Sequence, residues 1–367
     1  MRLPLARGFA LAPLLALGTG VVALVAFPLA VTNPYALHVM ILLFLTVIQG
    51  ESWNVLGGYT GQYSVGHAAY FGLGAYVTLM LLQFRQVPPW WGVWIAILLA
   101  VAVAIVIGSI TFRLRGPYFV LASIAVAEIF RLIALNWTGF TNGAEGILLN
   151  EIPPLRIGGR TITDFVSKVP FYYAGLALAA TTIAVNWGVQ HSKLGYYFQA
   201  IREDQDAAHS LGISLPVYKN IALAISAFFT AWSGAFYGLY VGFIDPGTVL
   251  PVEVSVQFVL ICIIGGIGTI AGPMVGALVL VPLSEALRAN LLSDLLFKIG
   301  IVSEDTPTGA FLKDNLAHAH ALIYGILVVL VILFMPDGVL GFAKKLFSGR
   351  RRQTPALPEV SSEKGSA

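Results

Sequence analysis

Apolar residues run along this chain in blocks, and polar residues gather in a few short stretches between them. The blocks predict ten helices, at about 9–31, 36–56, 63–82, 91–111, 117–136, 170–189, 220–243, 253–267, 273–289 and 319–336. A helix needs roughly 20 mainly apolar residues to cross the hydrocarbon core of a bilayer, and most of these blocks approach that length. The eighth and ninth are short and are separated by the turn-like run "GGIGTIAGP". Three polar stretches interrupt the pattern, at about 137–169, 190–219 and 290–316. The implied fold class is all-α: a polytopic membrane protein with about ten transmembrane or partly spanning helices. It forms one transmembrane domain over 1–343, with a polar tail over 344–367.

Composition agrees with the pattern. Of the 367 residues, 57% are hydrophobic and only 11% are charged, less than half the charged share of a typical soluble domain. Many of the 38 glycines lie inside apolar runs beside Ala and Ser, where small residues let helices approach closely. The single cysteine, Cys262, sits in an apolar run and reads as a small hydrophobe. A net charge of +3 gives no reason to expect nucleic acid. Arg2 and Arg7 precede an apolar run longer than a signal-peptide core, so a first span or signal anchor is expected.

Lys and Arg suggest an orientation. With the N-terminus inside, the inner segments hold thirteen of them and the outer segments seven. Both termini are therefore expected on the cytoplasmic side. The tail beyond about Arg352 is small and polar and is expected to be disordered.

Four places carry candidate chemistry. The first is "NVLGGYTGQYSVGHAAYFGLGAY", where Thr60, Gln62, Ser64 and His67 are interleaved with glycines. A lipid-facing helix has no use for that mixture, whereas a broken helix beside a solute path has. A tight turn at the membrane surface is the plainer alternative. The second is Glu128 with Arg131, three residues apart and so on one helical face. As an intramembrane pair they would line a path or pin two helices. The third is the inner segment "GYYFQAIREDQDAAHSLGISLPVYKN", with a helix expected over Gln199–Ser210, a turn at Gly212 and a chain restriction at Pro216. The fourth is the stretch from Thr141 and Asn142 to Gly146, which joins the Thr60–His67 stretch as a candidate lining of a solute path. No catalytic constellation is visible. No phosphate-binding G-x-x-x-x-G-K-[ST] run occurs either, so this chain is expected to hold no cofactor. No metal site is expected: His67 has no convergent Cys or carboxylate, and the spacing of His318 and His320 makes none.

Five blocks in order resemble the LivM-type permeases of bacterial branched-chain amino acid ABC importers, from about Gln49 to Gly341. They are the glycine-rich block just quoted, "FRLRGPYFVLASIAVAEIFRLIALNWTGFTNGAEGI", "AIREDQDAAHSLGI", "IGGIGTIAGPMVGA" and "LIYGILVVLVILFMPDGVLG". The resemblance implies a type II-like importer permease in a bacterial inner membrane. It further implies a LivH-like second permease, two cytoplasmic ATPases carrying ATP and Mg, a periplasmic amino-acid-binding protein and surrounding lipid. The importer coupling signature, E-A-A followed after three residues by Gly, is matched by Asp206, Ala207, Ala208 and Gly212, with Asp in place of Glu. Arg202, Asp206, Ala207, Ala208 and Gly212 are thus the residues expected to engage or shape the ATPase contact. The substrate implied is Leu, Ile or Val. Urea, short amides or other amino acids, carried by the same architecture, form the alternative, and an ion-driven secondary transporter is a further one. Glu51 departs from the family pattern, which favours an apolar or small residue there. The stretch near 291–321 is longer than the simplest pattern and is expected to form an external amphipathic segment.

Overall fold

The computed structural model describes residues 11–31, 33–149, 152, 153, 155–157, 160–163, 167–288 and 338–347, with a few isolated positions between 325 and 333. The segment near 291–321, most of the helix expected over 319–336, and the tail past Phe347 lie outside the described residues.

The chain begins with α1 (Leu11–Ala30) and α2 (Pro34–Asn54), and α2 continues into a π-helical turn, Val55–Tyr59. Next come α3 (His67–Arg85), α4 (Pro89–Thr111), α5 (Pro117–Asn136) and the one-turn α6 (Thr138–Thr141). After the short strands β1 (Ile147–Leu148), β2 (Leu155–Ile157) and β3 (Arg160–Thr163) come α7 (Lys168–Gln190), α8 (Lys193–Glu203), α9 (Gln205–Ser210) and α10 (Leu215–Val241). The described chain closes with β4 (Phe243–Ile244), the one-turn α11 (Pro246–Val249), α12 (Val252–Gly265), α13 (Ala271–Arg288) and α14 (Gly338–Phe347).

Proline sets many of the starts. It occupies the first turn of α2, α4, α5, α10 and α11, where its missing N–H and fixed φ cost nothing. Asn33 caps α2 by accepting from the Tyr35 amide at 2.9 Å, and Asp245 forms a capping box with Thr248 ahead of α11. Six helices among the described residues are long and apolar enough to cross a membrane: Pro34–Tyr59, Pro89–Thr111, Pro117–Asn136, Lys168–Gln190, Leu215–Val241 and Pro246–Gly265. Shorter apolar helices lie at Gly18–Ala30 and Ala271–Ala286.

Burial sorts these helices into inner and outer ones. The core helix is α2: it is buried over most of its length and packs on α7, α10, α12 and α13. The pair α3 and α10 lies in the closest contact. Gly74 faces the Ala231 carbonyl and Gly234 faces the Phe71 carbonyl, so closely that a Cβ at either glycine would overlap the opposite backbone. Helix α4 buries a stripe of Ala96, Ala100, Ala104 and Gly108 at four-residue spacing against this pair. It exposes Trp91, Leu98, Val106 and Ile110 on the other side, as a lipid-facing helix would.

Three details depart from the sequence reading. The helix expected over Gln199–Ser210 is two helices broken at Asp204, which is extended. Its N-terminal half starts earlier, at Lys193. The polar stretch 190–219 ends sooner than expected, because α10 begins at Leu215 and takes in Pro216 and the buried Lys219. The polar stretch 137–169 is not a plain loop: β1 pairs antiparallel with β4, and β2 with β3.

Contacts define two ends. At one end, Arg115 meets Asp206, Arg202 reaches Gly58, and Gly338 sits against Gly265 and Gly266. At the other end, Tyr35 bonds Glu285, Lys168 bonds the Pro34 carbonyl, and β1 pairs with β4.

Candidate functional site

The glycine-rich block folds as a break between two helices. Gly57 and Gly58 let the backbone pass Trp53 and Asn54, whose side chains occupy the space a Cβ would need. Past Tyr59 the regular ladder ends, and the amide of Gln62 turns back to the Leu56 carbonyl at 3.2 Å. The segment from Gly61 to Gly66 has no helical bonds of its own, so its polar groups need partners from elsewhere. Trp53 Nε1 donates to the Ser64 carbonyl at 2.7 Å. Ser123 Oγ of α5 accepts from the Val65 amide at 2.9 Å, and Ser255 Oγ of α12 accepts from the Ala68 amide at 2.8 Å. His67 Nε2 pairs with Ser226 Oγ of α10 at 2.7 Å. Non-helical backbone at membrane depth is tolerated where protein covers it, and three neighbouring helices provide that cover.

The sequence-predicted residues fall in different places. Thr60, Gln62, Ser64 and His67 are all buried within the chain. Thr60 Oγ1 donates to the Leu56 carbonyl at 2.6 Å and Gln62 Nε2 to the Thr60 carbonyl at 3.2 Å. Beside them is a cavity of about 10 Å³ bounded by Ser64, Gly66, Tyr70, Thr111, Phe119 and Ser123, room for about one water. Thr141 and Asn142 lie beyond the opposite end of α5, which runs about 20 Å from Ser123, the residue that bonds Val65, to Asn136. There Thr141 Oγ1 donates to the Trp137 carbonyl at 2.9 Å, and Asn142 Nδ2 donates to the Gly146 carbonyl at 3.0 Å. The two groups thus sit at different depths and form no single site.

Between them is the charged pair. Arg131 Nε donates to Glu128 Oε2 at 2.9 Å in a two-pronged contact on α5. Both side chains are partly exposed, 29% for Arg131 and 38% for Glu128. Phe119, Ser123, Ala127 and Ala134 form the buried stripe of α5, while Leu121, Ile129, Leu132 and Ile133 are exposed. The pair flanks the buried stripe and opens outward.

At the α8–α9 end, Gly195, Phe198 and Ile201 anchor α8 by its buried face. Asp204 then caps α9, accepting from the amides of Asp206 at 2.8 Å and Ala207 at 3.0 Å. The helix ends in a Schellman arrangement: Gly212 has φ +85°, its amide bonds the His209 carbonyl, and the Ile213 amide bonds the Ala208 carbonyl. Ala208 is buried, whereas Asp206 and Ala207 are exposed. Asp206 pairs with Arg115 of the α4–α5 turn at 3.0 Å. Arg202 turns inward, with Nη1 on the Gly58 carbonyl at 2.9 Å.

Sequence reasoning missed two buried polar ties. Asn186 of α7 donates from Nδ2 to Glu51 Oε2 at 2.7 Å and to the Glu51 carbonyl at 2.9 Å. Asn54 accepts from the Gly268 amide at 2.9 Å and donates to the Thr269 carbonyl at 3.0 Å. Glu51 signalled itself as a departure from the family pattern; its partner, 135 positions away, had no local signature. No cluster of three or more His, Cys, Asp or Glu fit to hold a metal occurs among the described residues.

Comparison with known proteins places this architecture. The family described as branched-chain amino acid transport system / permease component matches residues 35–335. The high-affinity branched-chain amino acid transport system permease protein LivM of Escherichia coli K12 is 30% identical over 282 residues, covering 72% of this chain and 66% of that protein. LivM of Salmonella typhimurium is 27% identical over 349 residues, or 89% of this chain and 76% of the relative. The permease LivH of E. coli K12 is 24% identical over 308 residues, 79% of this chain and 89% of the relative. The autoinducer 2 import system permease protein LsrC of Klebsiella pneumoniae is 26% identical over 184 residues, about half of each chain. No solved structure matches. Permease components of this kind carry no catalytic step. With its match running from the start of α2 to residue 335, this chain belongs to the branched-chain amino acid transport system permease family of ABC importers.

Proposed function

We propose that this chain is one of two permease subunits of an ATP-driven importer for Leu, Ile and Val in a bacterial inner membrane. The carrying observation is the family match over residues 35–335, joined to an exposed, capped α9 bearing the Asp206-Ala207-Ala208…Gly212 pattern. In this reading a LivH-like permease is the second wall. Two ATPases bind beneath α8 and α9 through Asp206 and Ala207, with Ala208 and Gly212 fixing the shape of the knuckle. A periplasmic binding protein delivers the amino acid at the other end. The α8–α9 end is cytoplasmic: it gathers Arg113, Arg115, Lys193, Arg202 and Lys219, in keeping with the positive-inside tendency. Both termini lie on that side, and the helix count is about ten, in the type II-like arrangement.

The solute path in this reading runs along the outward face of α5. A charged pair at membrane depth is costly against lipid, so Glu128 and Arg131 face the partner subunit or water. They offer one group of each sign to an amino acid's ammonium and carboxylate. Thr60, Gln62, Ser64 and His67 act from behind, holding the break against which α5 packs, and Thr141 and Asn142 shape the outer entrance.

A second reading keeps the machine and changes the solute to urea, a short amide or another small molecule. The likeness to an autoinducer 2 import permease supports it, because permeases with different cargo share this pattern. Proteoliposomes holding the full complex, supplied with binding proteins loaded with labelled leucine or urea, separate the two. ATP-dependent leucine uptake supports the first reading. Urea uptake without leucine uptake selects the second.

A further inference from the structure

We propose that Arg202 is a positioning residue that mechanically ties the ATPase-facing segment to both backbone breaks, at Gly58 and at Gly266–Thr269. The proposal rests on the importer reading above and assigns Arg202 an inward task in place of the contact with the ATPase that the sequence leads one to expect.

The argument starts from an unfilled carbonyl. In a continuing α-helix the Gly58 carbonyl would accept from the Gln62 amide. Here that amide bonds Leu56 instead, so the helix end leaves the Gly58 oxygen without a backbone partner. Arg202 Nη1 fills the place at 2.9 Å from the last turn of α8. Its aliphatic stem lies across Gly61: a Cβ there would sit 3.3 Å from Arg202 Cγ.

The same knot holds a third segment. One turn before Gly58, Asn54 bonds both the Gly268 amide and the Thr269 carbonyl in the turn between α12 and α13. Gly268 has φ +76°, and a Cβ on it would overlap Arg202 Nη1 and approach the Gly58 carbonyl to 3.1 Å. Three chain segments therefore meet at one guanidinium: α8, the π turn of α2, and the α12–α13 turn. Lys219 Nζ adds a bond to Gln205 Oε1 at 2.8 Å, fixing α9 to the start of α10. A pull on α8 and α9 reaches the helix breaks through short polar contacts rather than through a flexible loop. Arg202 is otherwise exposed, so contact with the ATPase alone is the rival role.

The test uses the reconstituted complex and three readouts: uptake, ATP hydrolysis and co-purification of the ATPases. For Arg202→Ala, uptake falls on the order of tenfold, the scale of a typical coupling free energy. Hydrolysis stays within about twofold and ATPase capture is unchanged, so ATP spent per solute rises. Arg202→Lys, which keeps one charged donor, recovers part of the uptake, and it also carries the readout if Arg202→Ala fails to assemble. Loss of ATPase capture, a parallel fall of uptake and hydrolysis, or unchanged uptake overturns the proposal. A second arm is independent of transport. Hydrogen exchange at 55–62 and 266–270 quickens in Arg202→Ala, and unchanged exchange at both overturns the tie. Gly268→Ala displaces the guanidinium, so its effect on exchange and that of Arg202→Ala are non-additive; additivity overturns the shared contact. A wild-type complex without ATP-dependent uptake would instead overturn the importer reading, leaving the exchange arm to decide the tie.

Discussion

Replacing Glu51 separates shape from charge in the middle of the protein. Glu51 and Asn186 are both fully buried, on α2 and α7. Asn186 Nδ2 serves Glu51 Oε2, while Glu51 Oε1 and Asn186 Oδ1 have no partner. Glu51→Ala removes the acceptor of a buried amide, which costs about 1–3 kcal/mol. It also leaves a void like that of a Met-to-Ala truncation, costing about 2–5 kcal/mol in a packed core. Glu51→Gln behaves differently. Its carbonyl keeps the bond to Asn186 Nδ2, and its NH₂ can donate to the unpartnered Asn186 Oδ1. The glutamine variant is expected within about 1 kcal/mol of the native chain, or above it. The sole cysteine, Cys262, is fully buried, so a thiol-reactive dye in detergent reports unfolding directly. The expected order of midpoints is glutamine equal to or above native, and alanine well below both. A glutamine variant as unstable as the alanine variant would refute the reasoning, because it would mean that the carboxylate itself is needed.

Three further substitutions probe separate features. Gly74→Ala drives a Cβ into the Ala231 carbonyl and lowers stability by about 1–3 kcal/mol, whereas Gly188→Ala, with open space around it, is neutral or stabilising by up to about 1 kcal/mol; both are read in the same unfolding assay. Asp206→Asn breaks an exposed ion pair, changes stability by less than about 1 kcal/mol, and lowers ATPase capture measured by co-purification. Arg131→Ala leaves Glu128 without its partner and reduces uptake several-fold while assembly persists, and the exchanged pair Glu128→Arg with Arg131→Glu recovers less uptake than stability.

Helix positions were legible because membrane helices advertise themselves by length and by proline. The expected α5, 117–136, coincides with the observed one, bounded by Pro117 and by the polar turn after Asn136. The break near Gly57 and Gly58 was legible as an excess of glycine beside polar groups, and its π-helical geometry was not. Asp204 was missed because a polar run from Gln199 to Ser210 satisfies one helix pattern throughout; only the capping bonds to Asp206 and Ala207 reveal two. Ser123, Ser226 and Ser255 carry no sequence signal, since a lone serine in an apolar helix reads the same whether or not a distant amide needs it. The inward turn of Arg202 depends on the free carbonyl at Gly58, which exists only after α2 has broken.

The most direct test of the account is the side and neighbour of α9. A cysteine placed at Ala207, with native Cys262 buried and silent, is probed in intact cells and in inverted vesicles, and then offered a cross-linker to the ATPase. The account predicts labelling only from the cytoplasmic face and a cross-link that responds to ATP. Labelling from the outside, or no cross-link in a complex that still transports, would contradict it.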